Sequence, residues 1–179
     1  MKQKDLLLLK EFLDEKYFLY NNKKFIETDP ICIPHQFTKK QDIEIAAFLA
    51  ATIAWGNRQS IIKNATKLMQ FMDVAPHSFV VNSTAKDMKV FSKFVHRTFN
   101  GDDCIFFIQS LQNIYKTNES LESIFSKGIQ PKDETIKNGI ISFRSAFFSI
   151  KHPARTQKHV SNPMKNSSSK RLCMLKRVI

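Results

Sequence analysis

The chain has 179 residues, a formal net charge of +12 and only 4 glycines, and 42% of its residues are hydrophobic. This apolar content excludes a wholly disordered chain, and the length suffices for one domain with a hydrophobic core. Scarce glycine, with abundant Leu, Ile, Phe and Lys, predicts helices joined by short polar turns.

The first predicted helix has an apolar stripe with spacings of three or four residues. Its members are Leu6, Leu9, Leu13, Tyr17 and Tyr20. After a loop that contains Pro30 and Pro34, residues 43–55 ("IEIAAFLAATIAW") are apolar at eleven of thirteen positions. A helix that is hydrophobic on nearly all sides belongs in the middle of a bundle, so we expect this one to be central.

The later helices are predicted from start signals and periodic apolar residues. Three starts are marked by the Thr84–Asp87 pair, by "NGDD" at 100–103 and by the acidic residues after Pro131. The apolar faces are Ile61, Ala65, Leu68 and Met72; Cys104, Phe107, Ile108, Leu111 and Ile114; and Ile136, Ile140, Phe143, Phe147 and Ile150. Six or seven amphipathic helices without period-two alternation predict an all-α fold, a multi-helix bundle.

Two regions are expected, a helical bundle over 1–150 and a basic linker with the start of a further helix over 151–179. The last acidic residue is Glu134, whereas residues 151–179 contain eight Lys or Arg. Such a one-sided cationic end favours a polyanionic partner such as nucleic acid. The alternative is a solvated or partly disordered tail.

The cysteines and the amino-terminal residues bear on localisation. Cys32, Cys104 and Cys173 are too far apart to suggest a disulfide framework, which fits a reducing compartment. The start, "MKQKDLLLLKEFLDEKYF", lacks the features of a signal peptide, and no uncharged apolar stretch is long enough to span a membrane. We expect a cytoplasmic protein with no membrane partner.

No cofactor or metal is expected. Cys32 and His35 lack a second pair that would complete a ligand set, and His152 and His159 stand seven apart in a loop-like region. Four scattered glycines give no phosphate-binding loop. The acidic pairs Asp102–Asp103 and Asp42/Glu44 fall at predicted helix starts, where capping accounts for them.

The segment "NSSSKRL" leaves two alternatives open. Ser167, Ser168 and Ser169 precede Lys170, and hydroxyls at a helix start either cap the helix or hold a phosphate. A lysine acts as a nucleophile only when it is deprotonated, which desolvation or a neighbouring cation such as Arg171 promotes. The alternative for Lys170 is a solvated surface charge.

Several segments resemble known families. "AWGNRQSI", "FVHRTFNGDD", "SLESIF" and "SNPMKNSSSKRL" are similar to hallmarks of an uncharacterised bacterial family, over almost all of residues 1–175. Residues 44–72, with "KNAT" at 63–66, resemble the first helices of the helix-hairpin-helix DNA glycosylase superfamily. That resemblance implies the amino-terminal part of a glycosylase-like fold and a function in DNA base excision.

The resemblance also implies site residues. Lys170 matches the catalytic lysine of bifunctional glycosylases, which forms a Schiff base with the sugar. The turn at 55–58 matches one that enters the gap left by a flipped base. The residues expected to bind nucleic acid, DNA or RNA, are Trp55, Asn57, Arg58, Arg97, Lys165, Ser167, Ser168, Ser169 and Arg171.

The chain departs from the superfamily in two respects. The Gly-x-Gly of the hairpin is replaced by serines, and the activating aspartate, which would follow the lysine helix, is not reached. We therefore expect a carboxy-terminally truncated member with little or no turnover. The alternatives are a non-catalytic, basic nucleic-acid-binding protein and a gene fragment without function.

Overall fold

A computed structural model describes residues 3–176 and residue 178. The helices are α1 (Gln3–Tyr20), α2 (Lys23–Thr28), α3 (Lys40–Thr52), α4 (Arg58–Phe71), α5 (Pro76–Asn82), α6 (Gly101–Tyr115), α7 (Leu121–Gly128), α8 (Lys137–Phe147) and α9 (Lys170–Lys176). Strands β1 (Val95–His96) and β2 (Phe99–Asn100) form a small antiparallel hairpin, in which Val95 pairs with Asn100. The all-α prediction is confirmed. None of the helices described is both long and apolar enough to cross a membrane.

Helix α3 lies at the centre of the bundle, as its sequence predicts. Residues from Glu44 to Ala50 along it are all buried. The ring of Phe48 stacks on Phe107 with centroids 5.4 Å apart and meets Phe143 and Phe147 edge to face. Burying each such ring stabilises the fold by roughly 1.5–3 kcal/mol, so this aromatic cluster holds α3, α6 and α8 together.

A buried carboxylate on α3 caps another helix. The side chain of Glu44 is fully buried and accepts hydrogen bonds from the backbone N–H groups of Leu121 at 2.7 Å and Glu122 at 3.1 Å, at the start of α7. It also accepts a bond from the Tyr115 hydroxyl at 2.9 Å. Burial, with the neighbouring Glu44 carboxylate, raises the pKa of Tyr115. Glu44 therefore satisfies orphan donors of α7 rather than those of its own helix.

Of the three predicted helix starts, one is confirmed and two are not. Asn100 and Asp103 form a capping box at the start of α6, which confirms the start predicted from "NGDD". Thr84 does bond to Asp87, but the segment that follows, Asp87–Phe91, is a 3₁₀ turn rather than an α-helix. The start predicted after Pro131 is too early, because Asp133 accepts bonds from Gln130 and Asn138 in a turn and α8 begins at Lys137.

Helix α1 differs from all the others in its exposure. The predicted helix is confirmed, but none of its residues is buried. Its large apolar side chains from Leu6 to Tyr20 are 44–76% exposed, the most exposed being Phe18. The hydrophobic core is built instead from the helices and turns that follow Asp29.

The basic segment continues over the bundle in two 3₁₀ turns, Ala154–His159 and Pro163–Lys165, before α9. Thr156, His159 and Val160 are buried within it, and Leu172 and Leu175 of α9 are buried against the core. At the end of α9, the ammonium of Lys176 lies 3.6 Å from Glu122 on α7. Helix α9 therefore packs against the core and beside α7.

Candidate nucleic-acid interface

Two segments that are far apart in the sequence meet at the carboxyl end of α3. The Arg171 guanidinium donates a hydrogen bond of 2.6 Å to the backbone carbonyl of Thr52, and lies 4.8 Å from the centre of the Trp55 ring. A carbonyl in the last turn of a helix has no partner within the helix, and a cation there is favoured by the helix dipole. Burial lowers the pKa of Arg171. The expected residues Trp55 and Arg171 are thus neighbours.

Trp55 is packed among aromatic and cationic groups. Its ring is parallel to that of His159, at an interplanar angle of 4° with centroids 5.8 Å apart, and it meets His96 edge to face. His96 accepts a bond from the Asn64 amide at 2.9 Å through Nδ1, while its Nε2 lies 3.3 Å from the Trp55 carbonyl oxygen. These contacts fix the indole as a half-buried wall of the site.

Gly56 and Arg97 lie against each other beside this wall. Gly56 has a φ of +104°, which L side chains rarely adopt, and a Cβ there would lie 2.5 Å from the Arg97 guanidinium. Arg97, which itself has a φ of +54°, is exposed in the hairpin turn between β1 and β2. The structure therefore brings the expected residue Arg97 to the same turn as Trp55.

The other two residues of this turn have structural partners. The Asn57 side chain accepts a bond from the Ser60 backbone N–H at 3.1 Å and caps α4. Arg58 lies 4.0 Å from the Asp29 carboxylate and 5.6 Å from the ring centre of Phe25. It borders a largely apolar cavity of about 490 Å³ between α3, the start of α4 and α9. Both side chains are exposed nonetheless.

A buried carboxylate fastens the basic segment to the bundle. Asp103 Oδ2 lies 2.9 Å from Nη1 of Arg155 and 3.3 Å from Nε2 of His159, and Asp103 is fully buried. Arg155 also donates to the Asn100 side chain at 2.5 Å and to the Thr98 carbonyl at 2.9 Å. One acidic side chain therefore joins the start of α6, the hairpin and the basic segment.

The His159 imidazole is close to this carboxylate without a hydrogen bond to it. Its Nε2 and the second carboxylate oxygen of Asp103 are buried with no hydrogen-bond partner in the part of the chain that is described. Burial lowers the pKa of His159, and this effect outweighs the Asp103 carboxylate, which raises it. His159 is therefore uncharged at neutral pH, and Arg155 is the cation that balances Asp103.

The expected nucleophile and its neighbours differ in exposure. Lys170, the first residue of α9, is exposed, and its ammonium makes no hydrogen bond or ion pair with the residues described. Lys165, Ser167 and Ser168 are exposed as well. Ser169 is 2% exposed with a φ of +48°, and its hydroxyl has no partner among the described residues. Lys170 thus presents its amine to solvent next to Arg171, whereas Ser169 is turned inward.

Sequence reasoning missed Asn64, His96, Asp103, Arg155 and His159 as parts of the site. His96 and Asp103 lie within "FVHRTFNGDD", a segment that the family resemblance singled out without indicating the roles of these two residues. Within residues 3–176 and at 178, no group of three or more His, Cys, Asp or Glu side chains is arranged to hold a metal ion.

Comparison with known proteins identifies a family but no activity. Residues 29–178 match the sequence model of a family described as "protein of unknown function (DUF2400)". No curated protein and no solved structure matches the chain. The resemblance to an uncharacterised family is confirmed over this range, and the comparisons do not extend to the glycosylase superfamily. The match leaves out α1 and α2.

Proposed function

Because the chain belongs to the DUF2400 family, whose function is unknown, we propose from the site itself that it binds DNA and takes part in base excision. In this proposal Lys170 is the nucleophile, as in glycosylases that also cleave the strand. Trp55, Arg97 and Arg171 form the wall beside which the altered nucleotide lies.

One observation carries the proposal. The turn at 55–58 and the start of α9 were each expected to contact DNA. Arg171 of α9 contacts Thr52, which is 119 residues away in the sequence, and the ring of Trp55, so the two segments lie side by side. Exposed cations lie on both segments and on the neighbouring hairpin, namely Arg58, Arg97, Lys165 and Lys170. Exposed cations on segments that the fold brings side by side favour a polyanionic partner, and they count against the alternative of a disordered tail.

The chemistry asked of Lys170 is addition to an abasic sugar. Its amine, in the neutral form, attacks the aldehyde carbon C1′ and forms a C–N bond, and the resulting carbinolamine loses water to give an imine. The imine withdraws electrons from the sugar, so a proton leaves C2′ and the C3′–O bond breaks, which cleaves the strand. An exposed amine at the edge of the site can reach a sugar that has been turned out of the duplex.

Borohydride trapping tests this step. Borohydride reduces an imine to a stable amine, so a duplex with one abasic site should become covalently attached to the protein and shift on a denaturing gel. Trapping needs one attack of the amine on the aldehyde and no turnover, so we expect the adduct with the unaltered chain and its loss in Lys170→Ala. Lys132→Ala is the matched control, because Lys132 is an exposed lysine before α8 and its loss changes the charge equally. No adduct with the unaltered chain, or an adduct that persists in Lys170→Ala, would contradict the catalytic role.

A non-catalytic nucleic-acid-binding protein is the second candidate, favoured by the free, solvated amine of Lys170. Binding to an intact duplex, followed by fluorescence anisotropy, separates the two. The affinity should fall by about 0.9 decades per decade of salt for each phosphate neutralised. Tight, salt-dependent binding without any trapped adduct supports this second function, and an affinity independent of salt counts against both.

A further inference from the structure

We propose that α1 is a dimerisation helix, and that its apolar surface is covered by α1 of a second copy of this chain. Helix α1 lies outside the proposed DNA site. Its composition is that of a buried helix, whereas its side chains are exposed. Ten of its eighteen residues are large apolar side chains, and all ten are at least 44% exposed.

Exposed apolar side chains lie on all sides of α1, and one face carries a stripe of five. These are Leu6, Leu9, Leu13, Tyr17 and Tyr20, each 44–59% exposed. A large aromatic side chain has roughly 150–250 Å² of surface, so five large side chains that are about half exposed present on the order of 500 Å². Two such stripes that face each other bury about 1,000 Å² in total, which is the lower limit for a specific interface.

Charge makes α1 the surface through which two copies of this chain can meet. From Gln3 to Tyr20 there are three lysines and four acidic residues, a net charge of −1, whereas the whole chain carries +12. Two copies that approach through any strongly basic surface repel each other, but two α1 helices meet on a nearly neutral surface. The same charge argues against an anionic membrane surface, because helices that bind such surfaces are rich in Lys and Arg on their polar face.

The position of α1 agrees with this role. The residues that match the family begin at Asp29, after α1 and α2, and the hydrophobic core is formed without a buried residue from α1. A helix that adds nothing to the core of its own chain is free to contribute to a two-fold interface, in which the same surface of both copies is buried.

The test is the mass of the full chain in solution, by light scattering after size-exclusion chromatography and by sedimentation. We expect a dimer of the 20.8 kDa chain at micromolar concentration. The triple variant Leu9→Gln, Phe12→Gln, Leu13→Gln should be a monomer with unchanged helix content, because these side chains are not part of the core. The dimer dissociation constant should rise at least tenfold.

A matched control replaces three apolar residues that are exposed elsewhere, Val81→Gln, Val90→Gln and Val95→Gln, and should remain a dimer. The proposal is overturned if the unaltered chain is a monomer at all concentrations, or if the α1 variant remains a dimer. Open-ended association, with mass that grows continuously with concentration, overturns it too. Binding of a monomeric chain to vesicles of phosphatidylcholine and phosphatidylglycerol, lost in the α1 variant, would assign the helix to membranes instead.

Discussion

The guanidinium of Arg171 lies over the ring of Trp55, with 4.8 Å between its central carbon and the ring centre, while it donates a hydrogen bond to Thr52. This pair ties the end of α3 to the start of α9, beside the buried side chains of Leu172 and Leu175. Any DNA surface that uses both segments therefore depends on it.

Replacing Arg171 with Met keeps the length of the side chain and removes its charge and its donors. A hydrogen bond to a charged group contributes about 1.5–3 kcal/mol and a cation–π contact about 0.5–2 kcal/mol, in part additively. We expect the free energy of unfolding in urea to fall by about 2 kcal/mol, and amide exchange in α9 to accelerate. The control is Lys165→Met, at an exposed position, which should change the free energy of unfolding by less than about 0.5 kcal/mol.

Replacing Asp103 with Asn should be the most destabilising polar change in the site. It removes the charge that balances Arg155 and weakens the capping box of α6. Because Arg155 is 39% exposed and stays solvated, the cost is that of the lost charge-assisted hydrogen bond, about 1.5–3 kcal/mol. Urea unfolding measures the loss. Asp102→Asn is the control, because Asp102 is in the same helical turn but is exposed, and its loss should cost below about 1 kcal/mol. Equal effects at the two positions would contradict the role given to Asp103.

Acid should destabilise the fold through His159. Because burial holds its pKa in the folded chain below the ordinary value of about 6.5, the unfolded chain binds more protons once the pH falls below that value. Stability is therefore full above pH 6.5 and decreases as the pH falls toward the folded pKa. His77, whose pKa is lowered by burial and then by Lys39, acts in the same direction.

Urea unfolding at pH 7.5 and at pH 5.5 checks this prediction. The difference in stability between the two should shrink in His159→Gln and remain in His35→Gln, since His35 is exposed. Stability that is unchanged, or higher, at pH 5.5 would show that His159 is readily protonated in the folded chain.

Gly56→Ala should destabilise the chain for two separable reasons. A φ of +104° disfavours any Cβ, at a cost of roughly 1–2 kcal/mol, and the new methyl group would overlap Arg97. In the double variant with Arg97→Ala the overlap disappears while the backbone cost remains. A double-mutant cycle should therefore show the double variant to be more stable than the sum of the single effects predicts, and strict additivity would place Arg97 away from Gly56.

The parts of the fold that could be predicted are those encoded within one element. The central position of α3 follows from eleven apolar residues in thirteen, and the start of α6 follows from the local spacing of Asn100 and Asp103. The predicted start of α8 was wrong because aspartate is favoured both in the first turn of a helix and in turns. Asp133 accepts hydrogen bonds from Gln130 and Asn138 and therefore belongs to a turn.

The site depends on contacts that no local pattern encodes. Asp103 looked like a capping residue and is one, but its second role depends on Arg155 and His159 arriving from a distant segment. Glu44 likewise looked like a first-turn acid and instead caps α7. Exposure of α1 could not be predicted either, because an apolar stripe indicates that a helix has a partner without indicating which chain supplies it.

The bond from Arg171 to Thr52 also bears on when the site forms. Closing a loop of 119 residues costs about 4 kcal/mol in chain entropy. The bond from Arg171 to Thr52 therefore becomes favourable only after the intervening residues have folded into helices and the loop to be closed is shorter. During synthesis all the helices from α3 to α8 leave the ribosome before Arg171 can reach α3. We therefore expect helices α3 to α8 to assemble first, and the surface around Trp55 to be completed after them.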